Sequence, residues 1–382
     1  AVPEGTIVFP QEPLVRVVGP ILQAQIVESA LLNMINFQTL IATKAARVAL
    51  AAKGEAVAEF GLRRAQGIDG GLAASRAAYL GGCASTSNVL AGKMYGIPVS
   101  GTMAHSWVMS FESEQKAFDA FAKAMPNNAI LLVDTYDSLE GTRRAAETGK
   151  KLRESGNRLA GIRLDSGDLA YLSIEARKIL DAAGLEDAQI AASNEFDEHV
   201  IGSLEEQGAQ IDLWGVGTRL VTAWEQPALG GVYKLNALKR NGTWQPRIKL
   251  SEQAAKTSNP GMLAARRFFN GGGQAIADMI YDELAPPHGR FTIVDPLDPT
   301  RRKKLDEAMR HEDLLVPVMR GGTRVYDLPP LIESRARVQE QLALFHAGIK
   351  RFVNPHRYPV GLEESLHERK TELILELRGL KG

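Results

Sequence analysis

AILLVD (129–134), LAGIR (159–163), QIAAS (189–193) and IDLWGV (211–216) are short apolar runs, each followed by a segment of amphipathic, helical pattern. EAVAEF (55–60) and IPVSG (97–101) precede them, making six candidate strands. From the second onward the strands begin 32, 30, 30 and 22 residues apart, which is the period of the βα unit. Candidate helices lie between them at 112–124, 138–154, 168–183 and 197–207, and a longer helical pattern at 21–53 stops at Gly54. Six such units predict a parallel sheet covered by helices. Spacing alone leaves open whether the sheet is closed as a barrel or doubly wound.

The flanks lack this rhythm. Ahead of the helical pattern, AVPEGTIVFPQEPLVRVVGP reads as strands at 6–9 and 14–18, punctuated by Pro10, Pro13 and Pro20. It has neither the basic nor the apolar region of a signal peptide. It opens in mid-pattern, so further residues are expected upstream. After residue 226, GGVYKLNAL reads as a strand, NGTWQPRIKLS as its hairpin partner and TSNPG as a turn. Short strands follow over 290–325, with the basic run RRKK (301–304) as a solvated face, and the tail reads as helices at 331–348 and 362–378. A chain of 382 residues exceeds one ordinary domain, whereas an α/β barrel alone takes about 250. One barrel and one smaller domain is the natural partition.

Composition removes whole classes of function. Lys+Arg and Asp+Glu both number 45, so the chain lacks the basic excess that drives binding to nucleic acid or a membrane surface. The single cysteine, Cys83, forbids an intrachain disulfide and a cysteine-based zinc site, and suits a reducing cytoplasm. No apolar run reaches the roughly 18 residues of a membrane span.

Polar side chains follow the strands. Arg63 and Arg64 come after the first, Thr102 and His105 after the second, and Asp134 and Tyr136 after the third. Asp165 and Asp168 follow the fourth, Asn194, Glu195 and Asp197 the fifth, and Gly217 and Thr218 the sixth. In parallel α/β sheets these carboxyl ends open on one face, where ligands bind. Asp, Asn and Thr there also serve as helix N-caps, but Arg63, Arg163 and His105 are poor caps.

Within this set, LDSGDL (164–169) brackets a Ser-Gly turn with two carboxylates: Asp165 for ribose hydroxyls or a metal-bound water, and Asp168 for the next helix cap. Arg163 offers a bidentate fork to a carboxylate or phosphate, or else pairs with a neighbouring carboxylate. GVGT (215–218) is an anion-binding loop or a plain turn. His105 suits proton transfer or phosphoryl acceptance. The seven histidines form no HxH or HExxH, and neither GxSxG nor GxxxxGK[ST] occurs. Metalloprotease, acyl-transfer and Walker-loop chemistry are therefore disfavoured.

EFGLRRAQG (59–67), TSNVLAGKMYGIPVSGTMAHSWVMSF (86–111), LLVDTYDSLEG (131–141), GIRLDSGDLAYLS (161–173), SNEFDE (193–198), GVGTRLVTA (215–223) and QPALGGVYKL (226–235) together resemble the nicotinate phosphoribosyltransferases. The resemblance implies an irregular, TIM-like type II phosphoribosyltransferase α/β barrel with a smaller α+β domain. Residues 1–20 would belong to the N-terminal domain, 21–225 to the barrel and 226–290 to a segment returning to the N-terminal domain. Residues 291–382 would form a C-terminal segment of mixed strands and helices. The implied reaction joins nicotinate to phosphoribosyl pyrophosphate with coupled ATP hydrolysis and Mg²⁺, in a cytoplasmic homodimer.

Residue by residue, His105 matches the histidine that ATP phosphorylates. Thr102 and Arg163 match the groups holding the nicotinate carboxylate, and Phe60 lies beside the pyridine ring. Arg63, Gly217 and Thr218 match phosphoribosyl pyrophosphate contacts, and Asp165 the carboxylate near the ribose. The family pattern also includes an upstream tyrosine stacked on nicotinate, which these residues do not contain, and more often an aspartate where this chain has Glu195. Nicotinamide or quinolinate phosphoribosyltransfer, or ligand binding without turnover, are the alternatives. A barrel aldolase would need a strand-end lysine, and Lys44, Lys53 and Lys93 lie on helical or loop segments.

Overall fold

The computed structural model describes residues 1–253 and 256–380. The chain divides into two units, residues 34–229 and residues 1–33 with 230–382.

In the first unit six parallel strands form one sheet: β1 (Ala56–Glu59), β2 (Ser85–Thr86), β3 (Ile130–Leu132), β4 (Gly161–Leu164), β5 (Gln189–Asn194) and β6 (Leu213–Val216). Their order is β2-β1-β6-β5-β4-β3. β1 lies beside β6 in register, Ala56 opposite Leu213 and Glu59 opposite Val216. The order therefore runs in one sense from β3 to β6 and on through β1 to β2. A doubly wound sheet would reverse direction. This is the wall of an irregular α/β barrel, parted between β2 and β3. Val57, Leu131, Ile162, Leu164, Ile190, Trp214 and Val216 are buried, as expected for strands covered on both faces.

Helices Gly67–Gly81, Glu114–Ala124, Ser138–Glu154, Leu169–Ala182 and Glu198–Glu206 follow strands of this sheet. Ser113, Asp137, Asp168 and Asp197 cap the last four through their side chains, which fixes where each begins.

The strand expected at 97–101 is reduced to one bridge, Val99 to Thr86. Pro98 brings no N–H to a ladder, although its carbonyl accepts from Thr86 N–H at 3.0 Å. The partner that does pair with β1 is the two-residue strand β2. The helix expected at 21–53 is two helices, Ile21–Ile26 and Glu28–Ala51.

The second unit holds a hairpin of β7 (Ala237–Arg240) and β8 (Thr243–Pro246). Asn241 and Gly242 turn it with φ of 50° and 81°, the paired positive angles of a type I′ turn. A mixed sheet combines β9 (Leu263–Phe269), β10 (Ala275–Asp282), β11 (Arg290–Val294), β12 (Arg302–Asp306) and β13 (His311–Asp313). A second hairpin pairs β14 (Met319–Arg320) with β15 (Thr323–Arg324), and β16 (Val360–Glu363) completes the mixed sheet, ordered β12-β11-β16-β10-β9-β13. The tail supplies helices Leu331–Leu344 and Glu364–Leu377.

The strands expected at 6–9 and 14–18 do not form. Pro10 and Pro13 withhold ladder donors, and the segment is held by scattered backbone bonds, such as Val2 N–H to Leu14 O at 2.9 Å, and by side chains. Ile7 and Phe9 pack with Phe345 and Tyr358, the Phe9 and Tyr358 rings stacking at 4.2 Å. The RRKK run is not wholly solvated either. Lys303, on β12, donates to the Ile276 carbonyl at 2.7 Å, and burial lowers its pKa.

Two charged clusters carry different loads. Arg267 and Asp278, on adjacent strands β9 and β10, are wholly buried and paired at 2.7 Å. Arg267 also donates to Gln341 Oε1 and to the Ile7 carbonyl, while Tyr358 donates to Asp278 Oδ1 at 2.8 Å. At the amino ends of the first unit's strands, Trp214 Nε1 donates to Glu55 Oε2 at 2.6 Å. Burial, with the nearby carboxylates of Glu205 and Asp212, pushes Glu55 up to about 7 in spite of that bond.

No helix among the described residues is long and apolar enough to cross a membrane.

Two stability measurements follow from these clusters. Arg267→Met strands a buried carboxylate and should cost about 3–5 kcal/mol in denaturant unfolding. Unchanged unfolding would mean that Asp278 finds another partner. For Glu55, the folded state keeps a proton that the unfolded chain releases from its ordinary value of 4.5. Stability should therefore fall as pH rises from about 5 towards 7 and level off above. Glu55→Gln should flatten that fall, and an identical pH–stability curve would contradict it.

Candidate active site

The carboxyl ends of β1, β3, β4, β5 and β6 bring together most of the side chains singled out in the sequence. Arg163, on β4, is at the centre. Its Nε donates to Ser193 Oγ at 2.6 Å, its Nη1 to Thr102 Oγ1 at 2.8 Å and its Nη2 to Asp165 Oδ1 at 2.6 Å. Three of five guanidinium N–H groups are thus bonded, leaving one on each Nη. The guanidinium carbon lies 6.0 Å from the centre of the Phe60 ring, within cation–π range.

Phe60 is fixed from two directions. Its N–H donates to Val216 O at 2.8 Å, and its ring covers Gly215 so closely that a Cβ there would sit 2.7 Å from Cδ2. Only glycine in β6 admits the ring at that distance.

Asp165 accepts from both Arg163 and Ser193. Burial raises its pKa, but the Ser193 hydroxyl and the Arg163 guanidinium outweigh burial and hold the carboxyl below its ordinary value. His105 opens the short helix His105–Met109, with Nδ1 3.1 Å from Thr135 Oγ1. Its Nε2 faces two carboxylates, Asp134 Oδ1 at 3.9 Å and Asp165 Oδ2 at 3.8 Å. Asp134 is nearly inaccessible. Its Oδ2 accepts from Asp165 N–H at 2.9 Å and Ser166 Oγ at 2.7 Å, whereas the buried Oδ1 has no hydrogen-bond partner among the described residues.

Gly217 and Thr218 follow β6, and Thr218 Oγ1 donates to Glu195 Oε1 at 3.0 Å. Arg63 stands apart. It is exposed in the 3₁₀ turn Leu62–Arg64 and makes no hydrogen bond or ion pair among the described residues. Asp168 and Asp197 are helix caps, Asp197 also pairing with Arg219. The cluster Glu198, His199 and Glu225 has the spacing of a metal site, but Lys44 and Arg47 already occupy Glu198 at 2.6 and 2.5 Å.

Sequence reasoning missed Ser193, Thr135 and the part played by Asp134. Ser193 ends an apolar run as any small strand residue does, and nothing in its neighbours marks it. Asp134 was visible as a strand-end carboxylate, but its proximity to His105 comes from the packing of two distant loops.

A guanidinium, two carboxylates and an imidazole collected at the strand ends of a barrel are the constellation expected of an enzyme's active site. The nicotinate phosphoribosyltransferase (NAPRTase) family model matches residues 56–270, and that of the nicotinate phosphoribosyltransferase C-terminal domain residues 264–370. Nicotinate phosphoribosyltransferase of Bacillus subtilis is 42% identical over 381 residues, covering 98% of this chain and 77% of the relative. The human enzyme of that name is 37% identical over 423 residues, covering 96% and 78%. The crystal structure of human nicotinic acid phosphoribosyltransferase superposes with a TM-score of 0.83 at 34% identity, covering 98% of this chain and 81% of that one. Nicotinate-nucleotide pyrophosphorylase from Pyrococcus furiosus is similar at a TM-score of 0.69 and 25% identity, covering 90% and 79%. The chain belongs to the nicotinate phosphoribosyltransferase family.

One titration tests the site's electrostatics. Ser193→Ala removes a donor to Asp165 and should move that carboxyl's pKa upward, read from its pH-dependent carboxyl NMR shift. An unmoved midpoint would show that the nearby charges of Arg163 and His105 set it without Ser193.

Proposed function

We propose that this chain makes nicotinate mononucleotide from nicotinate and phosphoribosyl pyrophosphate, coupled to ATP hydrolysis through phosphorylation of His105. The observation that carries the reading is Arg163, held by Ser193, Thr102 and Asp165 above the Phe60 ring and sharing Asp165 with His105. Its two remaining N–H groups suit a planar carboxylate, with Thr102 beside them and Phe60 as an apolar face for the pyridine ring. Arg63, Gly217 and Thr218 would receive the pyrophosphate-bearing substrate. Asp165 would face its ribose.

In this reading the pyridine nitrogen attacks the anomeric carbon as the bond to pyrophosphate breaks, and the leaving oxygen takes the electron pair. Positive charge grows on the ribose, where the ionised Asp165 favours it, and negative charge grows on pyrophosphate near Arg63. The Thr135 contact engages Nδ1 of His105 and leaves Nε2 as the phosphoryl acceptor. Asp134 and Asp165 fit Mg²⁺, because a hard cation takes carboxylate oxygens and the buried Asp134 Oδ1 has no hydrogen-bond partner among the described residues. When bound, the ion would offset the charge of phosphoryl oxygens near these carboxylates. We place the enzyme in the cytoplasm, as a homodimer.

Incubation with γ-labelled ATP should label the protein in an acid-labile, base-stable bond. His105→Ala should abolish both the label and the stimulation by ATP while slow nucleotide synthesis persists, and intact stimulation would overturn the reading. Arg163→Lys replaces a planar fork with a point charge. It should weaken nicotinate about 10- to 100-fold in calorimetry, the equivalent of one charge-assisted hydrogen bond. A change below about threefold would make Arg163 structural.

A further inference from the structure

Glu59, the last residue of β1, has no solvent exposure. Among the described residues no lysine or arginine is paired with it. Three neutral donors from three segments hold its carboxylate. Gly61 N–H donates to Oε1, and Ser75 Oγ and Thr86 Oγ1 donate to Oε2 at 2.8 and 2.6 Å. Asn88 extends the set, its N–H donating to Thr86 Oγ1 at 3.0 Å and its Nδ2 to Ser75 Oγ at 3.2 Å. Burying a carboxylate without a cation is costly, and an apolar side chain would suit this sheet–helix layer better for stability alone.

The Gly61 peptide that Glu59 holds begins the turn bearing Arg63. Gly61 O accepts from Arg64 N–H at 2.8 Å, closing that turn. On its other side Gly61 is pressed against Val221, whose Cγ1 would lie 2.2 Å from any Cβ there. Gly217 meets the same segment, since a Cβ at Gly217 would lie 3.2 Å from Phe60 O. The FGLRR turn and the GVGT turn are therefore seated on each other through glycines, with Glu59 gripping the joint from the protein side.

We propose that Glu59 is a positioning residue for phosphoribosyl pyrophosphate: through the Gly61 N–H it sets the turn that presents Arg63 beside Gly217 and Thr218. This rests on the reading of the site given above. Phe60 has its own anchors in Val216 and Gly215, so the nicotinate side is held separately.

The test is steady-state kinetics in both substrates, with thermal unfolding as a control. Glu59→Ala should raise the KM for phosphoribosyl pyrophosphate about 10- to 100-fold, the range expected when a binding group shifts by about 1 Å. The nicotinate KM should stay within about threefold. Glu59→Gln keeps an acceptor for Gly61 N–H, and its amide can donate to Ser75 and Thr86, so it should restore most of the affinity. Should Glu59→Ala not fold, Thr86→Val combined with Ser75→Ala keeps the carboxylate but removes both donors to Oε2, so that only Gly61 N–H still holds it. That pair should shift the same KM in the same direction. Equal changes in both KM values, or lost stability with unchanged kinetics, would overturn the proposal. If the wild-type chain forms no mononucleotide, the functional reading falls; if it does and the variants keep the KM, only Glu59's role falls.

Discussion

Arg163 is the fixed point of the site, and its immobility comes from bonding on three sides. Ser193 belongs to the adjacent strand, Asp165 lies just beyond the arginine's own strand, and Thr102 arrives on a distant loop. A guanidinium so held has lost its rotational freedom before any ligand arrives, so further contacts cost less ordering entropy. Asp165 is shared between this arginine and the histidine, whose Nε2 lies 3.8 Å from its other oxygen. The charge state of the carboxylate thus ties the arginine's position to the histidine's surroundings.

The two ends of the parallel sheet answer to different physics. At the carboxyl ends, polar side chains converge where backbone groups run out of strand partners, and a ligand can take their place. At the amino ends, Glu205 and Asp212 lie near the half-buried Glu55, with the exposed Lys53 reaching Glu205 at 3.7 Å, and the outcome is a raised pKa for Glu55. Conserving charge at the first end serves chemistry. Relieving it at the second serves stability.

The βα rhythm was legible because buried parallel strands must be apolar runs of nearly constant spacing. β3 and β6 fall within the runs that predicted them and β4 and β5 pass theirs by one residue, but the sense of winding needed the structure, since it depends on β1 finding β6 across more than 150 residues. The weak points share one cause. IPVSG, and the strands expected at 6–9 and 14–18, have apolar composition but contain or adjoin prolines, so composition pointed to strand where donors were lacking. In the site, residues named for their chemistry were visible and those named by their neighbours were not. Arg163, Asp165 and His105 are unusual at strand ends; Ser193 and Glu59 look ordinary until three-dimensional contacts give them partners.

The seam between β2 and β3 has a mechanical meaning. Both bordering strands are short, two and three residues, which leaves little exposed edge to recruit another strand. The connection spanning that seam carries Thr102 and His105, and among the described residues its ladder contact is the single bridge at Val99. Everywhere else around the wall, displacing a strand-end residue would strain a ladder on both sides. Here the imidazole sits on a section tied to the sheet by one bridge, between staves whose own pairing is held in register.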